Sequence, residues 1–196
     1  MKLLKKQPIA ILIALIIVLG ATFYGANRSL GAEVRQAANQ FYDGVFDTSQ
    51  NRTLPSIYGQ LEQRATASLR MLAIGEHSHG DEPSLTTVHA ELRDARRVFV
   101  DLLLTGSPRE LFEADQALEA AVSRYFAILH PLVVEAEGED LQALESAQST
   151  MQNAARVIRE SGYNEAIRSF HQNVLGGFPA SLLMQIVFVN PPELFA

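Results

Sequence analysis

The chain reads as an all-α protein, an antiparallel four-helix bundle preceded by one N-terminal transmembrane helix. Three observations predict this. Apolar residues recur at alternating spacings of three and four, as in the set Leu85, Val88, Leu92, Ala95, Phe99 and Leu102, which is the seam of a helix packed along another helix. Helix start and stop signals such as Ser107-Pro108 and Gly176-Gly177 fall between these seams. Finally, no period-two run of β-branched residues appears apart from QIVFV at 185–189, which lies too close to Pro191 and Pro192 to extend.

The first element is apolar. Lys2, Lys5 and Lys6 precede eleven consecutive apolar residues from Ile9 to Leu19, with a softer continuation to Tyr24. Pro8 to Tyr24 is 17 residues, roughly 25 Å as a helix, and the neighbouring apolar residues bring it close to the ~30 Å hydrocarbon thickness of a bilayer. The lysines place the N-terminus in the cytoplasm and send the body to the other side, with Tyr24 as an interfacial anchor. Residues 1–26 are therefore read as a cytoplasmic stub and anchor, and residues 27–196 as an extracytoplasmic helical body. A cleaved signal peptide is the competing reading, because Ser29-Leu30-Gly31 before Ala32 offers small residues at a cleavage position. Both readings take the body out of the cytoplasm.

In the body, Val34, Ala38, Phe41 and Val45, then Leu54, Ile57, Leu61, Leu69 and Leu72, predict one long helix kinked or broken at the polar, Pro55-containing DTSQNRTLP. A turn follows at EHSHGDE, residues 76–82, and a helix begins near Ser84. Ser107, Pro108 and Glu110 then have the spacing of a capping box with proline at the first helical position, so a tight helix hairpin is expected. The next helix carries Leu111, Ala114, Leu118, Val122, Tyr125 and Leu129 on one face and is expected to stop near His130, because proline disfavours a helical residue before it. A last helix is predicted from about Glu139 to Gly176, with Leu144, Ala147, Met151, Ala154 and Ile158 as its seam and a shift of that seam at Gly162.

Composition excludes several functions. The absence of cysteine removes disulfides, thiol nucleophiles and thiolate zinc sites. Net charge is −6, and beyond the three lysines 13 basic residues face 22 acidic ones, which argues against nucleic acid as a partner. No G-x-S-x-G elbow, phosphate loop, dinucleotide fingerprint or H-E-x-x-H motif occurs. EHSHGDE packs Glu76, His77, His79, Asp81 and Glu82 into seven positions, all of them possible metal ligands. Gly75, Gly80 and Pro83 bracket it as turn formers, and a polar turn explains it; a metal-dependent enzyme built on His77, His79 and Asp81 is the alternative. His130 is read as bordering its helix end, His171 as a polar seam residue, and the acidic run EAEGED at 135–140 as a solvated helix start. Asn27-Arg28-Ser29 and Asn51-Arg52-Thr53 match the glycosylation pattern at the level chance supplies. No catalytic, cofactor or metal residue is assigned.

GYNEAIRSFHQNVLGGFP, residues 162–179, carries a Tyr163-Asn164 pair, a related Phe170-His171 pair seven residues later, and a closing Phe178-Pro179. Seven residues are two helical turns, so these pairs form an aromatic stripe beside a polar one, fixing register against a neighbouring helix. This segment resembles the C-terminal signature of the LemA family. RTLPSI at 52–57, RDARR at 93–97 and PELF at 192–195 extend the likeness, while Ser56, Ala154-Ala155 and Arg159-Glu160 depart from it, as in a divergent member. The resemblance implies a single-pass protein of the bacterial inner membrane with a four-helix domain outside the cytoplasm. It transfers no catalytic residue, and the family's association with membrane proteolysis and quality control implies an accessory role. The expectation is a non-enzymatic adaptor or scaffold for another envelope protein, without cofactor, with self-association open. An extracytoplasmic ligand-sensing bundle is the second reading.

Overall fold

A computed structural model describes residues 7–80, 82–135, 140–177 and 191–196, the side chains of 7–16, 19, 22, 23, 26, 78 and 79 apart. The protein is all-α in its architecture. Its elements are α1 (Gln7–Asp43), a two-residue hairpin β1 (Phe46–Asp47) and β2 (Arg52–Thr53), α2 (Ile57–His79), α3 (Pro83–Thr105), α4 (Pro108–Glu135), α5 (Asp140–Glu160), α6 (Tyr163–Phe170) and a π-helical turn, His171–Leu175. The chain divides into two compact units, Met1–Ala38 with Ser169–Pro192, and Asn39–Arg168 with Glu193–Ala196.

In the first unit α1 is helical throughout residues 8–24, with Ile17 and Tyr24 63% and 69% exposed. Further along, Leu30, Val34 and Ala37 are buried at spacings of four and three, so α1 changes from an exposed apolar segment to a helix with one buried stripe. Also in this unit, His171 Nε2 donates to the Pro192 carbonyl at 2.9 Å and Asn173 Nδ2 to Ser169 Oγ at 3.0 Å. His171 thus serves an extended chain segment, which corrects the expectation of a helix-seam residue. Phe178-Pro179, Lys2, Lys5, Lys6 and QIVFV lie outside the described residues.

In the second unit, α2 packs chiefly on α5 and α3 chiefly on α4, and α2 also meets α3 and α4. The seams predicted for α4 and α5 are buried but for one position: Leu111, Ala114, Leu118, Val122, Tyr125 and Leu129 on α4, and Leu144, Ala147, Met151 and Ala154 on α5, where Ile158 is half-buried. On α3, Leu85, Leu92 and Phe99 are buried. Leu69, assigned to the apolar stripe of α2, is instead 48% exposed, and Arg64 and Ser68 occupy the inward positions between Leu61 and Met71.

The breaks have local causes. The predicted kink between the first two helices is a full interruption, with β1 and β2 paired antiparallel in the register Phe46 with Thr53. Gly44 permits it: its φ is +86°, and a Cβ there would lie 2.0 Å from the Leu54 carbonyl oxygen. The hairpin tip is held by Asp47 Oδ1, which accepts from Ser49 N and Oγ, so its carboxyl lies below the usual range through those hydrogen bonds. Ser56 caps α2, its Oγ accepting from Gly59 N at 3.1 Å. The capping box of α4 forms as predicted, with Ser107 N donating to Glu110 Oε2 at 2.8 Å and Glu110 N to Ser107 Oγ at 3.4 Å.

Two boundaries differ from expectation. The helix does not stop at His130: α4 continues through Pro131 to Glu135, and the His130 ring packs on Phe126, 5.0 Å between centroids. Interior proline costs about 3 kcal/mol, but Leu129 and Val133 on either side are fully buried, each contributing about 1.5–3 kcal/mol. The last helix, in turn, is not one piece. It breaks at Ser161-Gly162, where Gly162 has φ +70°, and Ser161 Oγ accepts from Tyr163 N as α6 begins. The predicted seam shift marks this break.

Candidate functional site

The site forms where α2 ends beside α3 and α4. Gly75 sits on α2 facing Tyr125 of α4, and a Cβ at Gly75 would fall 1.8 Å from the Tyr125 hydroxyl oxygen. Glycine there admits a buried phenol against the helix backbone. Tyr125 Oη lies 3.2 Å from His89 Nδ1, and His89 Nε2 lies 3.1 Å from Glu76 Oε1. The Tyr125 and His89 rings meet edge to face at 5.7 Å. With Glu76 ionised, it accepts from Nε2–H, which leaves Nδ1 to accept the phenol proton. Burial pushes the Tyr125 phenol up to about 12, reinforced by the charge of Glu76, so it stays protonated and donates near neutrality.

This chain of hydrogen bonds runs from inside to outside. Tyr125 is fully buried, His89 keeps 18% of its side chain exposed and Glu76 66%. The outer end lines a cavity of about 320 Å³ with Leu85, Thr86, Ala90 and Arg93. Among the described residues Arg93 has no ion pair, so the cavity presents one uncommitted cation, one carboxylate and an imidazole. Such a donor and acceptor set suits a small polar ligand. A larger groove of about 500 Å³ lies by the hairpin, lined by Asp47, Arg52 and Glu160, but Asp47 is committed to its turn.

EHSHGDE divides between helix and turn. α2 runs through Glu76–His79, Gly80 follows it, and Glu82 caps α3 by accepting from Ser84 N at 3.4 Å. The reading of the whole motif as a turn is therefore corrected: the apolar surface of Leu72 and Ile74 holds the helix on past Gly75. Within the motif Glu76 joins the site and His77 is exposed. Asp81 and the side chain of His79 lie outside the described residues. Among the described residues no three His, Asp or Glu side chains stand close enough to hold a metal ion.

A second polar cluster, on the same helix, is buried at its centre and reaches solvent at Glu119, whose side chain is 61% exposed. Arg64, 1% exposed, places Nε 2.6 Å from Asp115 Oδ1 and Nη2 3.1 Å from Glu119 Oε2, while Nη1 donates to the Met151 carbonyl at 3.3 Å. The 2.6 Å contact is an ion pair without hydrogen-bond alignment, since neither atom has a directional partner. Burial pushes the Asp115 carboxyl up to about 6; Arg64 opposes that and Glu119 adds to it. One guanidinium thereby links α2, α4 and α5.

Sequence reading gave no role to His89, Arg64 and Asp115, and took Gly75, which lies inside α2, for a turn former. The available signal was positional. Ile57, Leu61, Arg64, Ser68 and Met71 step by four, three, four and three, and Asp115 falls between Leu111 and Leu118 in the same way, so opposite charges occupied two seams. His89 likewise sits between Leu85 and Leu92.

Among the described residues α4 is the helix long and apolar enough to cross a membrane. One face of it is a buried seam, and Asp115 on that face pairs with Arg64. The fold and site thus define an all-α protein with an open polar relay at one end of its core. Compared with known proteins, the chain matches no family model, no curated relative and no solved structure.

Proposed function

We propose that this is a single-pass membrane protein whose extracytoplasmic four-helix bundle serves as a non-enzymatic adaptor or scaffold for another envelope protein, in the manner the LemA-like signature implies. The observation that supports it is α1. One helix of 37 residues begins in an apolar segment with Ile17 and Tyr24 exposed and carries Phe41, which is fully buried, in its last turn before Asp43. Large apolar side chains exposed on a helix of bilayer length are covered at least cost by lipid, and the basic flank directs the body outward. In-cell crosslinking of the full-length chain, followed by affinity recovery and mass spectrometry, tests the adaptor role, with the span fused to an unrelated domain as control. One stoichiometric envelope protein is the expected outcome; recovery of nothing beyond the control's proteins overturns it.

The cavity at Glu76, His89 and Arg93 favours a second reading, a bundle that senses a small polar ligand. Ligand-dependent chemical-shift changes confined to His89 and its neighbours would favour sensing over scaffolding.

A further inference from the structure

Thr86, His89 and Arg93 step by three and four along α3, so they share one face of that helix, and this face borders the cavity of about 320 Å³ together with Glu76 at the end of α2. Glu76 breaks a local rule. It lies in the last turn of α2, where the helix dipole is itself negative and a cation would be the stabilising choice. Its side chain is 66% exposed, yet it is held in place: His89 Nε2 lies 3.1 Å from Oε1, and His89 Nδ1 lies 3.2 Å from the buried Tyr125 hydroxyl. Among the described residues Glu76 Oε2 makes no hydrogen bond and Arg93, also exposed, has no ion pair. A pinned carboxylate and a guanidinium thus border one small cavity without pairing with each other.

The charges decide what fits. A simple anion such as phosphate would gain Arg93 but meet the charge of Glu76, and a simple amine would meet the reverse. Quaternary ammonium groups are held by aromatic faces, and among the described residues lining the cavity none is Phe, Tyr or Trp. A molecule carrying both a carboxylate and a primary ammonium satisfies the two ends at once. Its carboxylate can accept two parallel hydrogen bonds from a guanidinium, and its ammonium has N–H donors for Glu76 Oε2 and the Thr86 hydroxyl. The volume stands at the small end of ligand pockets, which favours a single amino acid over a peptide. Because His89 already orients Glu76, less side-chain freedom is lost when the ligand arrives.

We propose that the cavity bordered by α2 and α3 binds a free amino acid, its carboxylate on Arg93 and its ammonium on Glu76 and Thr86. His89 and Tyr125 are positioning residues for Glu76. The proposal rests on the ligand-sensing reading of this cavity and gives that reading its ligand class.

The test is isothermal titration calorimetry on the full-length chain in nanodiscs, with each proteinogenic amino acid in turn. At least one is expected to bind saturably, one per chain. Its methyl ester, which lacks the carboxylate charge, and its N-acetyl derivative, which lacks the ammonium, should each bind weaker by about tenfold or more. Arg93→Gln and Glu76→Gln, both at exposed positions, should weaken the free amino acid to a similar degree. The pairing of variant with compound is decisive: in Arg93→Gln the methyl ester should bind as well as the free acid, and in Glu76→Gln the N-acetyl derivative as well as the free amine. Discrimination that persists undiminished in either variant overturns the proposal, as does the absence of saturable binding by any amino acid at millimolar concentration. Acetate or methylamine binding as tightly as the amino acids would also overturn it, while leaving the cavity a ligand site and the sensing reading intact. Amino-acid binding that leaves the proteins crosslinked to the chain in cells unchanged would support the site and remove the sensing reading.

Discussion

Two polar networks are built on α2, and they differ at their buried ends, since each reaches water through one carboxylate, Glu119 or Glu76. Near its start, Arg64 is buried with Asp115 and ties three helices together. At its end, Glu76 reaches solvent and is linked through His89 to a buried phenol. The Arg64–Asp115 pair of the first is out of water, so its consequence is register: a guanidinium at one seam and a carboxylate at another match in a single alignment of α2 on α4. The second lines a cavity that can take up a ligand while the helices stay packed. A buried ion pair at the centre of the first and a buried neutral phenol beside a cavity in the second separate the two.

The largest effect should come from breaking the first network. Arg64→Met leaves Asp115 buried without its cation and should cost about 3–5 kcal/mol at pH 8 by urea unfolding. Adding Asp115→Leu should recover most of that loss, and a double variant as unstable as the single one would contradict the assignment. The pH dependence of the same cluster comes next. The folded chain holds the Asp115 proton more tightly than the unfolded chain, whose carboxyl titrates near 3.8 against about 6 in the fold. This group's contribution therefore favours the folded state at low pH, declines as pH rises through that window and is flat above it, by on the order of 2–3 kcal/mol. Asp115→Asn should remove that slope from the stability profile.

The second network should be less costly to disturb. Gly75→Ala drives a methyl into the Tyr125 hydroxyl and should cost about 1–3 kcal/mol, partly restored by Tyr125→Phe, with thermal unfolding as the measurement. Ser107→Ala, which removes one arm of the α4 capping box, should cost about 1 kcal/mol. The smallest effect is expected for His77→Ala, an exposed position, combined with His79→Ala, within about 0.5 kcal/mol. Loss of cellular function in that variant would revive the metal-dependent alternative.

Seams and caps were legible because each is a local rule. Leu144, Ala147, Met151 and Ala154 carried their burial in their spacing, and Ser107 and Glu110 carried theirs in two residue types three apart. What was not legible depended on distant packing. Pro131 is a helix breaker until Leu129 and Val133 are known to be buried around it. Tyr163 and Asn164 were recognised as a paired stripe, but the stripe's partner, the backbone of Glu193 and Phe195 some 30 residues on, could not be read from periodicity. EHSHGDE drew attention for its histidines, whereas its contribution to the site is Glu76, meaningful only through His89 on the next helix.

The account depends most on the apolar start of α1 lying in a bilayer with the body outside. Carbonate extraction of membranes, with mass analysis of the intact N-terminus and protease added from the outside, tests this in one preparation. Retention in the membrane pellet, an uncleaved N-terminus and digestion of the body from outside are the predicted results. A chain released by carbonate, or one beginning at Ala32, would contradict the anchor and with it the scaffold reading.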